Sequence, residues 1–141
     1  MRRDYFTVDI QASAADNDDP TIAIEYDGPT GALRERLDKV DGGTLDGEEI
    51  DVTFRRQPDS DGVLSLTNRL TGEYVFEATA PTEDIDALVS TADAQDDPQF
   101  TIRLTDDEGE SRTYEMRTLL VYDPDGSLLR GQSLIPGGVE L

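Results

Sequence analysis

Apolar residues recur at every second position through most of this chain. Phe6, Val8 and Ile10 stand on one side of the backbone while Thr7 and Asp9 stand on the other. The same period carries Ile22, Ile24 and Tyr26, then Ile50, Val52 and Phe54, then Leu64 and Leu66. It returns at Tyr74, Phe76 and Ala78 and at Phe100, Ile102 and Leu104. A longer stretch runs from Tyr114 through Met116 and Leu120 to Tyr122. Strand side chains alternate between faces, so the pattern predicts strands with one buried and one wet face, the usual antiparallel arrangement.

Two segments change to a helical period. Leu33, Leu37 and Val40 fall on one helix face, with Glu35 four residues before Lys39 in the order that favours an ion pair. Ile85, Leu88, Val89 and Ala92 fall on one face of a second helix. Gly28-Pro29-Thr30 and Ala80-Pro81-Thr82 precede them, each threonine placed to cap the first turn. The reading is an α+β fold: a single, curved, largely antiparallel sheet of about seven to eight strands with two helices on one face. Residues 21–69 and 73–122 repeat the order strand, helix, strand, strand, which suggests an internal duplication. Residues 1–141 read as a single domain.

The connections are acidic and turn-rich. Leu70-Thr71-Gly72 and Asp106-Asp107-Glu108-Gly109 read as hairpin connections. Asp16-Asn17-Asp18-Asp19 and Asp96-Asp97 read as hydrated loops. Asp123-Pro124-Asp125-Gly126 resembles the opening of a calcium loop but lacks the downstream bidentate glutamate, so a hairpin turn is the better reading. The tail holds Leu128, Leu129, Leu134, Ile135, Val139 and Leu141, which either complete the core or form a self-association strip.

Charge constrains this chain more than any motif does. The chain has 32 carboxylates against 12 basic residues, for a formal net charge of -20. A single lysine, Lys39, stands beside eleven arginines, and there is no histidine, cysteine or tryptophan. Self-repulsion on that scale strains a small fold in dilute buffer, whereas at about 1 M salt the screening length falls to roughly 3 Å. The composition therefore points to an extreme halophile and a protein that needs high potassium or sodium salt to fold. Without a long apolar run, a membrane span is not expected, and a cytoplasmic location is.

The same composition narrows the chemistry. Without histidine or cysteine the commonest general base and the readiest nucleophile are missing. No cofactor motif and no phosphate-cradling glycine loop is present, which leaves a hydrolase-type carboxylate pair as the enzymatic alternative. The arginines are the stronger feature. Alternation sets Arg55, Arg103 and Arg117 on wet strand faces, with Arg69 and Arg112 at strand ends nearby. They would form cross-strand ion pairs or a docking face, since arginine is enriched at interfaces and pairs bidentately with carboxylates. Such a face suits another acidic protein or a second copy of the chain as a homodimer. The overall charge opposes nucleic acid.

Met1 to Thr7, Asp27-Gly28-Pro29, Thr67 to Gly72, Leu120 to Asp123, Gly126 to Arg130 and Ser133 to Pro136 together resemble segments of a haloarchaeal family of small acidic uncharacterised proteins. The resemblance implies a haloarchaeal source and a domain of unknown function, with no activity to transfer. The element order is also similar to the halves of sliding-clamp proteins, which implies a nucleic-acid accessory as a further alternative. Glu83, Asp84, Asp86 and Asp93 on the second helix run against the basic surface such a role requires. The expected function is a non-catalytic protein-interaction module.

Overall fold

The computed structural model describes residues 3–11, 20–38, 43–58, 61–95 and 98–135. Eight strands and two α-helices occur among them. They are β1 (Phe6–Gln11), β2 (Thr21–Tyr26), α1 (Ala32–Leu37), β3 (Ile50–Arg56), β4 (Asp61–Asn68) and β5 (Tyr74–Pro81). Then follow α2 (Thr82–Asp93), β6 (Phe100–Thr105), β7 (Ser111–Met116) and β8 (Leu120–Tyr122). Short 3-10 turns cover Arg3–Tyr5, Gly47–Glu49 and Arg130–Gln132.

The strands do not form the single sheet that their alternation suggests. They form two four-stranded sheets, ordered β1-β2-β6-β7 and β5-β4-β3-β8. Each is mixed: β2 runs parallel to β6 and β3 parallel to β8, while the other neighbours are antiparallel. The reason is coverage. Eight strands side by side would span about 38 Å, yet α1 and α2, at 6 and 12 residues, are only about 9 and 18 Å long. Two helices that short cannot cover such a face, whereas two sheets sharing one core bury each other. One apolar cluster accordingly takes Ile22, Ile24, Phe100 and Ile102 from the first sheet and Val52, Phe54, Leu64 and Phe76 from the second.

The suggested duplication is not reproduced by the pairing. In the first unit β2 leads through α1 to β3, and β2 pairs with β6. In the second unit β5 leads through α2 to β6, and β5 pairs with β4. The threonine caps also differ from expectation. Gly31, in a left-handed conformation, precedes α1, and Pro81 precedes α2, so Thr82 enters the helix and its buried Oγ1 has no partner. The apolar stripes are as read: Leu33 and Leu37 of α1 are buried, as are Ile85, Leu88, Val89 and Ala92 of α2. Val40 and Lys39, and with them the expected Glu35–Lys39 pair, lie outside the described residues. So do the Asp16–Asp19 and Asp96-Asp97 loops, Val139 and Leu141.

Turn chemistry follows the sequence closely. Asp123 to Gly126 is a hairpin turn in which Asp123 Oδ1 accepts from the amides of Asp125 and Ser127, both at 2.9 Å. Gly126 takes φ of 89°, where a β-carbon would be strained. Tyr74 departs from its expected buried face. A β-bulge shifts the β4–β5 register between Leu66 and Thr67, so Val75 and Phe76 are both buried and Tyr74 is 57% exposed. In the tail, Leu134 bridges to Leu119 and is fully buried, and Leu129 packs against the core. Among the described residues, no helix is long and apolar enough to cross a membrane.

Where β1 meets β5, Phe6 stacks on Phe76 with ring centroids 4.4 Å apart, and Tyr26 tilts against Phe6 at 5.2 Å. Truncating Phe76 to Ala removes a ring shared by both sheets and should cost about 3–5 kcal/mol. Tyr74→Ala, on the exposed side of the bulge, should stay within about 1 kcal/mol. Urea unfolding of both variants in molar KCl checks this, and equal losses would contradict the shared-core account.

Candidate functional site

The sheets meet along two seams, and they differ. The β1–β5 seam is filled by the stacked aromatics. On the opposite side, β7 faces the start of β3 and the turn before it across an open groove of about 1380 Å³. Three of the five arginines singled out from the sequence line this groove: Arg69, Arg112 and Arg117. Arg55 and Arg103 do not. Arg55 is exposed and donates from Nη2 to the Pro124 carbonyl at 2.7 Å, and Arg103 is exposed on β6 in the other sheet. The five therefore share no single wet sheet face.

The groove arginines have different surroundings. Arg69, at the end of β4, donates from Nε and Nη2 to Asp51 Oδ1 at 3.0 and 2.6 Å. That bond, with the Asp51 charge, raises the Arg69 pKa. Both partners are about half exposed, so the pair orders the rim and adds little stability. The turn at Gly47–Glu49 is held by a capping box. Asp46 accepts from the Glu48 amide, and Glu49 Oε1 accepts from the Asp46 amide, both at 3.2 Å.

Arg112 is the unusual member. Counting back in twos from the buried Met116 and Tyr114 sets it on the core-facing side of β7. Its Nη1 is buried and has no hydrogen-bond partner, and Tyr114 Oη is buried beside it without one. Burial raises the Tyr114 pKa, the adjacent Arg112 guanidinium pulls against that shift by its charge and by its closeness to the phenol oxygen, and the Asp46 carboxylate adds to the rise. Arg112 makes no ion pair among the described residues. A half-buried guanidinium without a carboxylate, in a chain carrying 32 of them, is the clearest chemical demand in the structure.

The hairpin that launches β7 is fixed by a residue that the sequence does not single out. Arg34 of α1 reaches Asp106, Glu108 and Glu110 from one nitrogen, at 3.1, 3.0 and 2.8 Å. Five residues of hairpin, Asp106 to Glu110, hold four carboxylates, and that density was the one available signal that a cation must sit nearby. Burial works to raise the Asp106 pKa, but the Glu110 and Glu108 amides and the Arg34 guanidinium outweigh it and hold the carboxyl below its usual range.

The whole chain, residues 1–141, matches the model of a family of unknown function, DUF5793. No curated protein and no solved structure matches it.

A carboxylate with a lowered folded pKa stabilises the fold above its unfolded pKa, near 4, and that contribution is lost as pH falls through the folded value. Asp106→Asn should therefore be less stable than the parent at pH 7, with the gap closing in acid. Urea midpoints of both proteins at neutral pH and below about pH 4 test this. A gap that does not change with pH would show that the charge of Asp106 contributes nothing.

Proposed function

We propose, for a chain that belongs to the family of unknown function DUF5793, a role as a non-catalytic protein-interaction module that receives an acidic partner at the open seam between its sheets. The observation that carries this reading is Arg112: a guanidinium at the groove wall with a buried, unpartnered Nη1 beside an unpartnered tyrosine hydroxyl. Both groups donate hydrogen bonds, and a carboxylate accepts them. Arg69 and Arg117 line the same groove, but so do the carboxylates of Asp46, Glu48, Asp51 and Glu115, so the pull on an incoming carboxylate is local to Arg112. The acidic residues around that point restrict how an acidic partner approaches, so the seam supplies orientation more than net attraction.

The setting we infer is the cytoplasm of a haloarchaeon, with the chain acting as a single domain. The support is the net charge of -20 and the single lysine. At molar salt, exposed pairs are strongly screened while partly buried ones are screened much less. A half-buried arginine is thus the kind of contact that survives there, and phosphate-dominated binding to nucleic acid is not.

Two measurements test these statements. Circular dichroism should show the chain folded in molar KCl and unfolded in dilute buffer, and a spectrum unchanged between them would refute the halophilic assignment. Affinity capture from haloarchaeal lysate at molar KCl should recover a defined partner with the parent chain. A triple Arg69, Arg112, Arg117 to Gln variant should lose it, and an Arg55, Arg103 to Gln control should keep it. Equal capture by parent and triple variant would remove the groove from the interaction.

A further inference from the structure

The groove is also where two sheet edges lie open. β7 ends the first sheet, and no strand among the described residues pairs with its outer side. Across the groove, β8 pairs with Thr53, Phe54 and Arg55, and no strand among the described residues pairs with Ile50 to Val52 of β3 on that flank. The direction of the β7 backbone groups follows from the hairpin. The Asp106 amide donates to the Glu110 carbonyl at 2.9 Å, which makes residues 106 and 110 a hydrogen-bonded pair. Such pairs alternate along an antiparallel ladder, so Arg112 and Tyr114 bond back to β6 through Leu104 and Ile102. Ser111, Thr113 and Glu115 then turn their N–H and C=O groups outward. Gly47 lies close against the Glu115 carbonyl, where an added β-carbon would stand 3.2 Å away. Thr113 lines the groove itself.

Resting on the docking role just described, we propose that the partner supplies an extended acidic segment, which adds as a strand along the outer edge of β7 and sets a carboxylate on Arg112 and Tyr114. A strand added beside Ser111 and Thr113, short of Glu115 where the Gly47 turn covers the edge, lies about 4.8 Å from β7 and presents every second side chain to the face that carries Arg112 and Tyr114. Directly opposed β-carbons sit about 5 Å apart, within reach of a guanidinium and a phenol. The segment read this way has acidic residues spaced two apart, flanked by residues that face solvent. Strand addition also removes an exposed edge, the kind of surface that invites unspecific pairing. Burial keeps the Tyr114 hydroxyl protonated, so it remains a donor to the incoming carboxylate.

The test is a fluorescence titration of the full chain in molar KCl with a synthetic peptide that alternates Glu and Thr. A second peptide has the same sequence and charge but is N-methylated at every other backbone amide, on the edge that would face β7. The first should bind, and the second should bind at least about tenfold more weakly, because it cannot complete the ladder. Arg112→Gln should weaken the first peptide by at least about tenfold, and Arg103→Gln, outside the groove, should leave it unchanged. Thr113→Pro should abolish binding with the fold retained, since proline is tolerated on edge strands. If that variant does not fold, the two peptides on the parent chain decide the question. Equal binding of both peptides, or binding that survives Arg112→Gln, overturns strand addition. If neither peptide binds while lysate capture still depends on the groove arginines, strand addition falls and the docking role stands. If capture is also independent of those arginines, both fall.

Discussion

Everything in this molecule depends on two sheets sharing one core. Each sheet has four strands and turns an apolar face to the shared core, and neither of those faces could be buried by helices of 6 and 12 residues alone. Closing the sheets on each other solves that problem but creates two seams. At one of them Phe6 and Phe76 stack, with Tyr26 against Phe6, and the apolar cluster is continuous. At the other, β8 covers only half of β3, and the turn at Gly47–Glu49 reaches β7 only near Glu115. The groove is a consequence of that incomplete closure, and the side chains placed along it determine what it can hold.

Charge is distributed to match. Arginines in this chain act largely as fixed points that hold acidic loops. Arg34 gathers three of the four carboxylates of the β6–β7 hairpin, Arg69 takes Asp51, and Arg56 takes Asp86 at 3.3 Å. Arg55 ties β3 to the Asp123 turn through the Pro124 carbonyl. Arg112 departs from this pattern, because its buried Nη1 has no hydrogen-bond partner among the described residues. The Arg34 cluster bears on the same site indirectly, since it fixes the hairpin from which β7 and its open edge start.

Much of the fold was legible because burial imposes a period of two. Ile22 and Ile24, Val52 and Phe54, and Ile102 and Leu104 all point inward as their spacing requires. The division into sheets was not legible, because it rests on which strands become neighbours. β2 pairs with β6 in a register that sets Thr21 against Thr101, far apart in sequence, and nothing local encodes that choice. Tyr74 shows a smaller limit of the same kind: one bulged residue inverts the phase, and periodicity alone cannot place the bulge. At the candidate site, the arginines stood out by number, but their grouping did not. Arg112 sits two residues before the buried Tyr114, so its inward face could be counted from the sequence. Its lack of a partner could not, because that depends on the geometry of the seam.

Entry of an acidic partner at the open seam can be read directly by an amide NMR titration of the chain in molar KCl with the alternating Glu–Thr peptide. Shifts should concentrate at Ser111 to Arg117 and at Thr44 to Val52, with the exposed hairpin around Leu70 and Tyr74 unmoved. Shifts centred on that hairpin, or on the surface around Arg55 and Arg103, would contradict it.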